Sequence, residues 1–273
     1  MKTEIAIKKQ SAVRILRDAG SVLVAFSGGV DSAVLLALAV EALGPSRVLA
    51  VTGRSASLPS RDRSDAAAVA SALGVSHEEI DPGELERPAY RANAGDRCYH
   101  CRTALFEALE RIAAERGLAA VAYGAIADDR GDFRPGMQAA SEHRVLAPLL
   151  DAGMTKEDVR ALAAAAGLGI EDKPASACLS SRIPVGIEVT SERLGQVARA
   201  EAALAGLGFR QFRVRHHGEI ARLELDPEGD LRIQDPEVRQ RVIAAIRAAG
   251  FRFVALDLEG YRTGSLNPPS IPR

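Results

Sequence analysis

Residues 27–32 read Ser-Gly-Gly-Val-Asp-Ser. Adjacent glycines let backbone N–H groups turn toward an anion and let it approach closely. The apolar pattern that follows predicts a helix from about Val30, whose positive dipole end would favour the same anion. Ser27 and Ser32 add hydroxyl donors. Asp31 is a carboxylate among phosphate ligands, an arrangement that calls for a divalent cation such as Mg2+ between the two. The commonest nucleotide loop keeps a Gly-Lys-Ser/Thr run here, with the lysine reaching the terminal phosphates. This loop has no lysine. Lys156, in the first turn of a later helix, is a candidate for the absent charge; the plain alternative is a solvated surface lysine.

The second set is sulfur. The chain has three cysteines, Cys98, Cys101 and Cys178. Cys98 and Cys101 form a C-x-x-C, a spacing that serves zinc, iron–sulfur or redox chemistry alike. The pair lies at a predicted helix start, where thiolates are favoured. A closed zinc site wants four protein ligands, and only Cys178 and His100 remain to complete one. Three thiols suit a [4Fe–4S] cluster with one iron left open. Cys178 could instead be a sulfur donor itself, or a small buried residue. Arg213 and Arg215 form a third set. They alternate on a predicted strand and so share a face, and two guanidiniums side by side suit a phosphate.

These residues need a frame. "SVLVAF" at 21–26 is a continuous apolar strand of the kind buried on both faces. A helix is expected at 1–18, and another at 30–43 after the loop. Strands follow at 47–52 and 75–80, flanking a helix at 60–73. A long Pro-, Gly- and charge-rich loop fills 81–97. A helix at 99–116, a strand at 119–125, a polar loop at 126–142 and a strand at 143–149 come next. Thr155 and Asp158 then make a capping-box-like start for a helix that stops at Gly167. Strands alternating with helices predict an α/β fold with a doubly wound parallel sheet. Ligands of such sheets sit beyond the carboxyl ends of the strands, which places the candidate site in residues 27–32, 53–60, 125–136 and 147–156. Gly124, at the carboxyl end of its strand, joins the nucleotide-binding candidates. After a connector at 168–190 the pattern changes to a helix at 191–206, strands at 212–217 and 219–225 meeting in a hairpin near His217-Gly218, a helix at 235–249 and a strand at 252–258. The expected division is therefore residues 1–175 as the nucleotide domain and 176–273 as a smaller α+β domain for substrate binding and assembly.

Composition excludes several classes. Of 273 residues, 47 % are hydrophobic, enough for a real core, and the formal net charge is −1, which gives no support for a chain built around nucleic-acid backbone contacts. No apolar run approaches the ~20 residues that span a bilayer. "MKTEIAIKKQ" has no signal-peptide core, so the chain reads as cytoplasmic, and few cysteines there argue against a disulfide framework.

The string "FSGGVDS" resembles the PP-loop of the adenine-nucleotide α-hydrolase superfamily, which implies cleavage of ATP between its α and β phosphates, with pyrophosphate gripped as the leaving group. "PLLDAGMTKEDVR" at 148–160 and Lys173-Pro174 extend the likeness. The strings "DDRGDFRPG" (128–136), "ASACLSSRIPVG" (175–186), "FRVRHHGEIARLEL" (212–225) and "LDLEGYRTGSLN" (256–267) make the whole chain similar to the LarE family of sulfur transferases in nickel-pincer cofactor synthesis. That resemblance implies a pyridinium-3,5-biscarboxylic acid mononucleotide as substrate, its carboxylates adenylylated and converted to thiocarboxylates, and its phosphate on Arg213 and Arg215. It implies divalent-cation ligands at Glu201, Glu224 and Asp230, and a homo-oligomer. Some members give up the sulfur of one cysteine in the "ASACLSSR" region. This chain departs from them by adding Cys98 and Cys101, which favours the cluster-bearing variant with Cys98, Cys101 and Cys178 as iron ligands and an external sulfur source. Arg182 or Lys173 would help keep the Cys178 thiol ionised. The rivals are a PP-loop tRNA thiolase, an ammonia-fed amidotransferase-type synthetase, and a non-enzymatic nucleotide-binding or iron-sensing protein.

Overall fold

The computed structural model describes residues 2–58, 60–131, 135–173 and 177–262. Pro174 and parts of the strings at 128–136, 175–186 and 256–267 lie outside these. The chain forms two compact units. The first is Met1–Arg87 with Asp96–Ser176; the second is Pro88–Gly95 with Ala177–Arg273.

The first unit is an α/β domain. Helix α1 (Lys2–Ala19) leads into strand β1 (Val22–Ala25), helix α2 (Val30–Leu43), β2 (Val48–Gly53), α3 (Ser60–Ala72) and β3 (Ser76–Ile80). The chain leaves for α4 (Pro88–Ala92), which belongs to the second unit, and returns as α5 (Arg97–Glu115), β4 (Ala120–Tyr123), α6 (Pro135–Glu142), α7 (Pro148–Asp151) and α8 (Lys156–Ala165). The four strands run parallel in the order β3-β2-β1-β4. Alternation along the strands feeds two apolar layers. Val22, Val24 and Ala50 pack with α1, α2 and α8 on one face, and Leu23, Leu49 and Val51 pack with Phe106, Leu109 and Ala139 on the other. A strand covered on both faces must be apolar at every position, which is why "VLVA" reads as a continuous run.

Three expectations change here. The long loop expected at 81–97 contains the helix α4. The strand at 143–149 is reduced to a single parallel bridge from Ala122 to Leu146, because Pro148 has no N–H to extend a ladder and instead starts the turn of α7. The polar loop at 126–142 contains α6.

The second unit holds α4, α9 (Ser191–Gly206), β5 (Phe212–His217), β6 (Ile220–Leu225), α10 (Pro227–Arg232), α11 (Pro236–Ala248) and β7 (Phe253–Leu256). Strands β5 and β6 form the expected hairpin, closed at Gly218 with φ +64°. Strand β7 joins β6 in parallel. One face carries the buried Phe212, Val214, Leu223 and Leu225; the other carries Arg213, Arg215, Arg222 and Glu224. Segment Pro88–Gly95 is tied in by Tyr90, whose hydroxyl lies 2.7 Å from Ser180 Oγ, and by Asn93, whose side-chain amide donates to the carbonyls of Ile183, Pro184 and Ile187.

Candidate active site

The loop leaves β1 at Phe26, and its entry is fixed from two sides. Phe26 N–H donates to Val51 O at 2.8 Å, and Thr52 Oγ1 donates to Phe26 O at 2.7 Å. Since that hydroxyl proton is committed, His77 Nε2, 2.8 Å from Thr52 Oγ1, is the donor of its own bond. Burial lowers the pKa of His77, opposed in part by Glu79. This relay from β3 through β2 to the loop was not foreseen in the sequence.

Within the loop Gly28 takes φ +72°, a conformation that favours glycine. Ser32 Oγ donates to Gly29 O at 3.0 Å and lies 3.2 Å from Ser27 Oγ. Gly29 caps α2 with no side-chain bond to the helix's first N–H groups. Those donors therefore point free of side-chain caps toward the space an anion would take. Gly124 lies under the same turn. A Cβ at Gly124 would stand 2.8 Å from Ser32 N and 3.0 Å from Asp31 C, so a glycine is the residue that lets the end of β4 meet the start of α2.

Two lysines from far along the chain reach the loop. Lys156 Nζ sits 2.8 and 2.9 Å from the two carboxylate oxygens of Asp31. Its position follows from the start of α8. Thr155 accepts from Asp158 N–H and Asp158 accepts from Thr155 N–H, the full capping box. Asp158 is held in turn by Lys8 at 2.8 Å. Lys156 N–H donates to Asp128 Oδ2 at 2.8 Å, and Ala127 N–H to Met154 O at 2.7 Å, so the stretch after β4 fixes the helix start. Lys173 Nζ donates to Gly28 O at 3.1 Å and to Asp65 at 2.7 Å.

Cys98 and Cys101 stand in the first turns of α5, Cys98 exposed and Cys101 half-buried, neither in a disulfide. Asp96 accepts from His100 at 3.1 Å on the same turn. Cys178, exposed and free, belongs to the second unit. Among the described residues no group of three or more His, Cys, Asp or Glu side chains stands together to hold a metal.

In the second unit Arg182 organises the turn that carries Cys178. Its Nη1 donates to the carbonyls of Ala177 at 2.8 Å and Cys178 at 3.1 Å, while Nε and Nη2 grip Glu201 at 2.8 and 2.9 Å. Glu201 also accepts from Val214 N–H. Arg215 donates to Ser181 O at 2.9 Å and to the fully buried Glu224 at 2.7 Å; Arg222 pairs with the other Glu224 oxygen at 3.1 Å. Arg213 lies with its guanidinium 5.0 Å from the ring centre of Tyr261. Burial, then the charge of nearby Arg182, lowers the pKa of Arg213. Glu201 and Glu224 are thus engaged by arginines, and Asp230 has one buried oxygen with no hydrogen-bond partner.

Comparison with known proteins fits this arrangement. The chain is 40% identical over 264 residues to the pyridinium-3,5-bisthiocarboxylic acid mononucleotide synthase of Lactiplantibacillus plantarum, covering 96% of this chain and 95% of that one. The chain belongs to the LarE family. An uncharacterized protein of Synechocystis sp. is 42% identical over 90% of this chain and 91% of its own. A family model described as NAD synthase matches residues 10–115, the part of this LarE-family chain that holds the loop, α2 and the C-x-x-C. The NH(3)-dependent NAD(+) synthetase of Pyrobaculum aerophilum matches over 60 residues at 52% identity, 22% of each chain. No helix among the described residues is long and apolar enough to cross a membrane.

Proposed function

We propose that this chain is an ATP-dependent sulfur transferase that forms AMP and pyrophosphate while converting the carboxylates of pyridinium-3,5-biscarboxylic acid mononucleotide into thiocarboxylates. The observation that carries it is the near full-length identity to the synthase of L. plantarum. The geometry of the loop supports the first half of the reaction. ATP lies on Ser27, Gly28, Gly29, Asp31 and Ser32, with Gly124 beneath and Lys156 alongside. Mg2+ fits Asp31, a hard oxygen donor facing the phosphates, since this cation is commonly held by one or two carboxylates plus substrate phosphates. A substrate carboxylate oxygen attacks the α-phosphorus, the α–β bridging bond breaks, and pyrophosphate leaves with the electron pair toward the uncapped N–H groups of α2. Sulfide then displaces AMP from the acyl carbon, forming the C–S bond as the C–O bond breaks.

Three arginines of the second unit, Arg182, Arg213 and Arg215, suit an anionic substrate; Arg213 and Arg215 take the mononucleotide phosphate, and Arg182 holds the Cys178 turn. A cation at Glu201, Glu224 and Asp230 would require Glu201 and Glu224 to leave buried arginine pairs, whereas Asp31 is engaged only by the more exposed Lys156, so we place the cation at Asp31. Cys98, Cys101 and Cys178 are the soft donors we assign to a [4Fe–4S] cluster, which would offer an open iron for a sulfide brought from outside. The second unit would also carry assembly of a cytoplasmic homo-oligomer.

The test is an anaerobic reaction with ATP and the dicarboxylate mononucleotide, following AMP, product and protein mass. AMP with thiocarboxylate and unchanged protein mass supports the reading. Protein lighter by the equivalent of one hydrogen sulfide would move the sulfur source to Cys178. AMP formed only with tRNA would overturn the function.

A further inference from the structure

The half-exposed ion pair between Lys156 and Asp31 has a consequence for the order in which ligands bind. Both carboxylate oxygens of Asp31 face one ammonium, at 2.8 and 2.9 Å. A Mg2+ ion binds oxygen at about 2.0–2.1 Å, so a cation on Asp31 would share its oxygens with Lys156, two positive charges on one carboxylate. We propose that Lys156 acts as a resident counter-ion that keeps divalent cations off Asp31 until nucleotide phosphates draw it away, so that cation binding depends on nucleotide. This rests on the reading of the loop as an ATP site.

Two observations and one argument from charge support the exchange. The backbone of Lys156 is pinned by Asp128 and by the capping box of Thr155 and Asp158, so the flexible four-carbon stem is what moves. The Lys156 and Asp31 side chains retain 31% and 29% of their exposure, and a pair so hydrated opens at little cost. A polyphosphate held by the uncapped start of α2 is a denser negative target for the ammonium than one carboxylate. Lys173, by contrast, is anchored on Gly28 O and Asp65. Because binding free energies are reciprocal, whatever cation affinity the nucleotide adds, the cation returns to the nucleotide.

The test is Mn2+ binding followed by the loss of its free-ion electron paramagnetic signal, with and without an ATP analogue carrying a methylene bridge between the α and β phosphates, each titration corrected by a protein-free control because the analogue itself chelates Mn2+. For the wild-type chain the analogue should tighten Mn2+ by about tenfold or more. Lys156→Met should tighten Mn2+ in the absence of nucleotide by a similar factor, and Lys156→Arg should restore the nucleotide dependence. Asp31→Asn in the Lys156→Met background should remove that gained affinity, with circular dichroism showing that both variants are folded. Two results overturn the exchange alone: a Lys156→Met protein that binds Mn2+ without nucleotide no better than wild type, or a wild-type protein that binds it equally with and without the analogue. Failure of the analogue to bind at all would overturn the ATP-site reading along with it.

Discussion

Each unit centres on acidic and basic side chains, and the two use them differently. At the nucleotide loop, Asp31 and Lys156 meet in a half-exposed pair at the start of two helices. Such a pair is worth about 0–1 kcal/mol. On the small sheet, Glu224 is fully buried between Arg215 and Arg222, and Arg182, itself buried, grips Glu201. Removing one member of a buried pair strands a charge away from water, at a cost of about 3–5 kcal/mol. The wet pair suits a site whose charges must be exchanged as ligands come and go. The buried lattice suits a platform whose charges must stay where they are.

The largest expected effect tests the buried side. Glu224→Ala should lower the unfolding free energy by about 3–5 kcal/mol in urea titration; a loss under 1 kcal/mol would mean that the lattice is as soft as the loop. Next is the loop's seat. Gly124→Ala places a methyl 2.8 Å from Ser32 N, so the loop must shift, and a misplacement of about 1 Å in a positioning loop costs about a hundredfold in turnover of ATP to AMP, with far-ultraviolet circular dichroism unchanged. Lys156→Met sharpens the contrast, since its thermal unfolding should fall within about 1 kcal/mol of wild type while its ATP chemistry is altered. The smallest effect is pH-dependent. Burial lowers the pKa of His77 below the ordinary histidine value of 6.5, so the folded state prefers the neutral ring. Its contribution is complete above about pH 6.5 and declines as pH falls through the lowered folded value. Stability profiles of wild type and His77→Gln should therefore keep a constant separation above about pH 6.5 and approach each other as pH falls below it; profiles parallel throughout would remove His77 from the account.

Much of the first unit was legible because its signals are local. The apolar run before Ser27, the glycine pair and the Thr155–Asp158 cap each occupy a few consecutive residues, and each gives the expected element. The candidate Lys156 was visible as a first-turn lysine, yet its bond to Asp31 joins residues 125 apart in sequence. Lys173 was expected to help Cys178, and the structure ties it to Gly28 O and Asp65. Spacing along the chain carries no trace of such contacts. The relay from His77 through Thr52 to Phe26 O was missed for the same reason: a histidine on an edge strand with ordinary neighbours gives no local sign. The charged face of the small sheet was half legible. Alternation put Arg213 and Arg215 on one side, but the acids opposite them looked like surface charge or metal ligands until the strand register set Arg213 beside Glu224.

The short excursion of Pro88–Gly95 has its own consequence. The chain crosses between the units three times, after Arg87, after Gly95 and after Ser176. Tyr90 and Asn93 are synthesised early, but their partners Ser180, Ile183, Pro184 and Ile187 emerge later. During translation the first unit must therefore close around a loop whose own fold does not yet exist. A gene divided at residue 176 would yield neither half intact: the front piece would carry a segment with nothing to bind, and the back piece would lack a wall. Trimming or swapping the small unit is thus a three-cut operation, and one of those cuts falls three residues before Cys98.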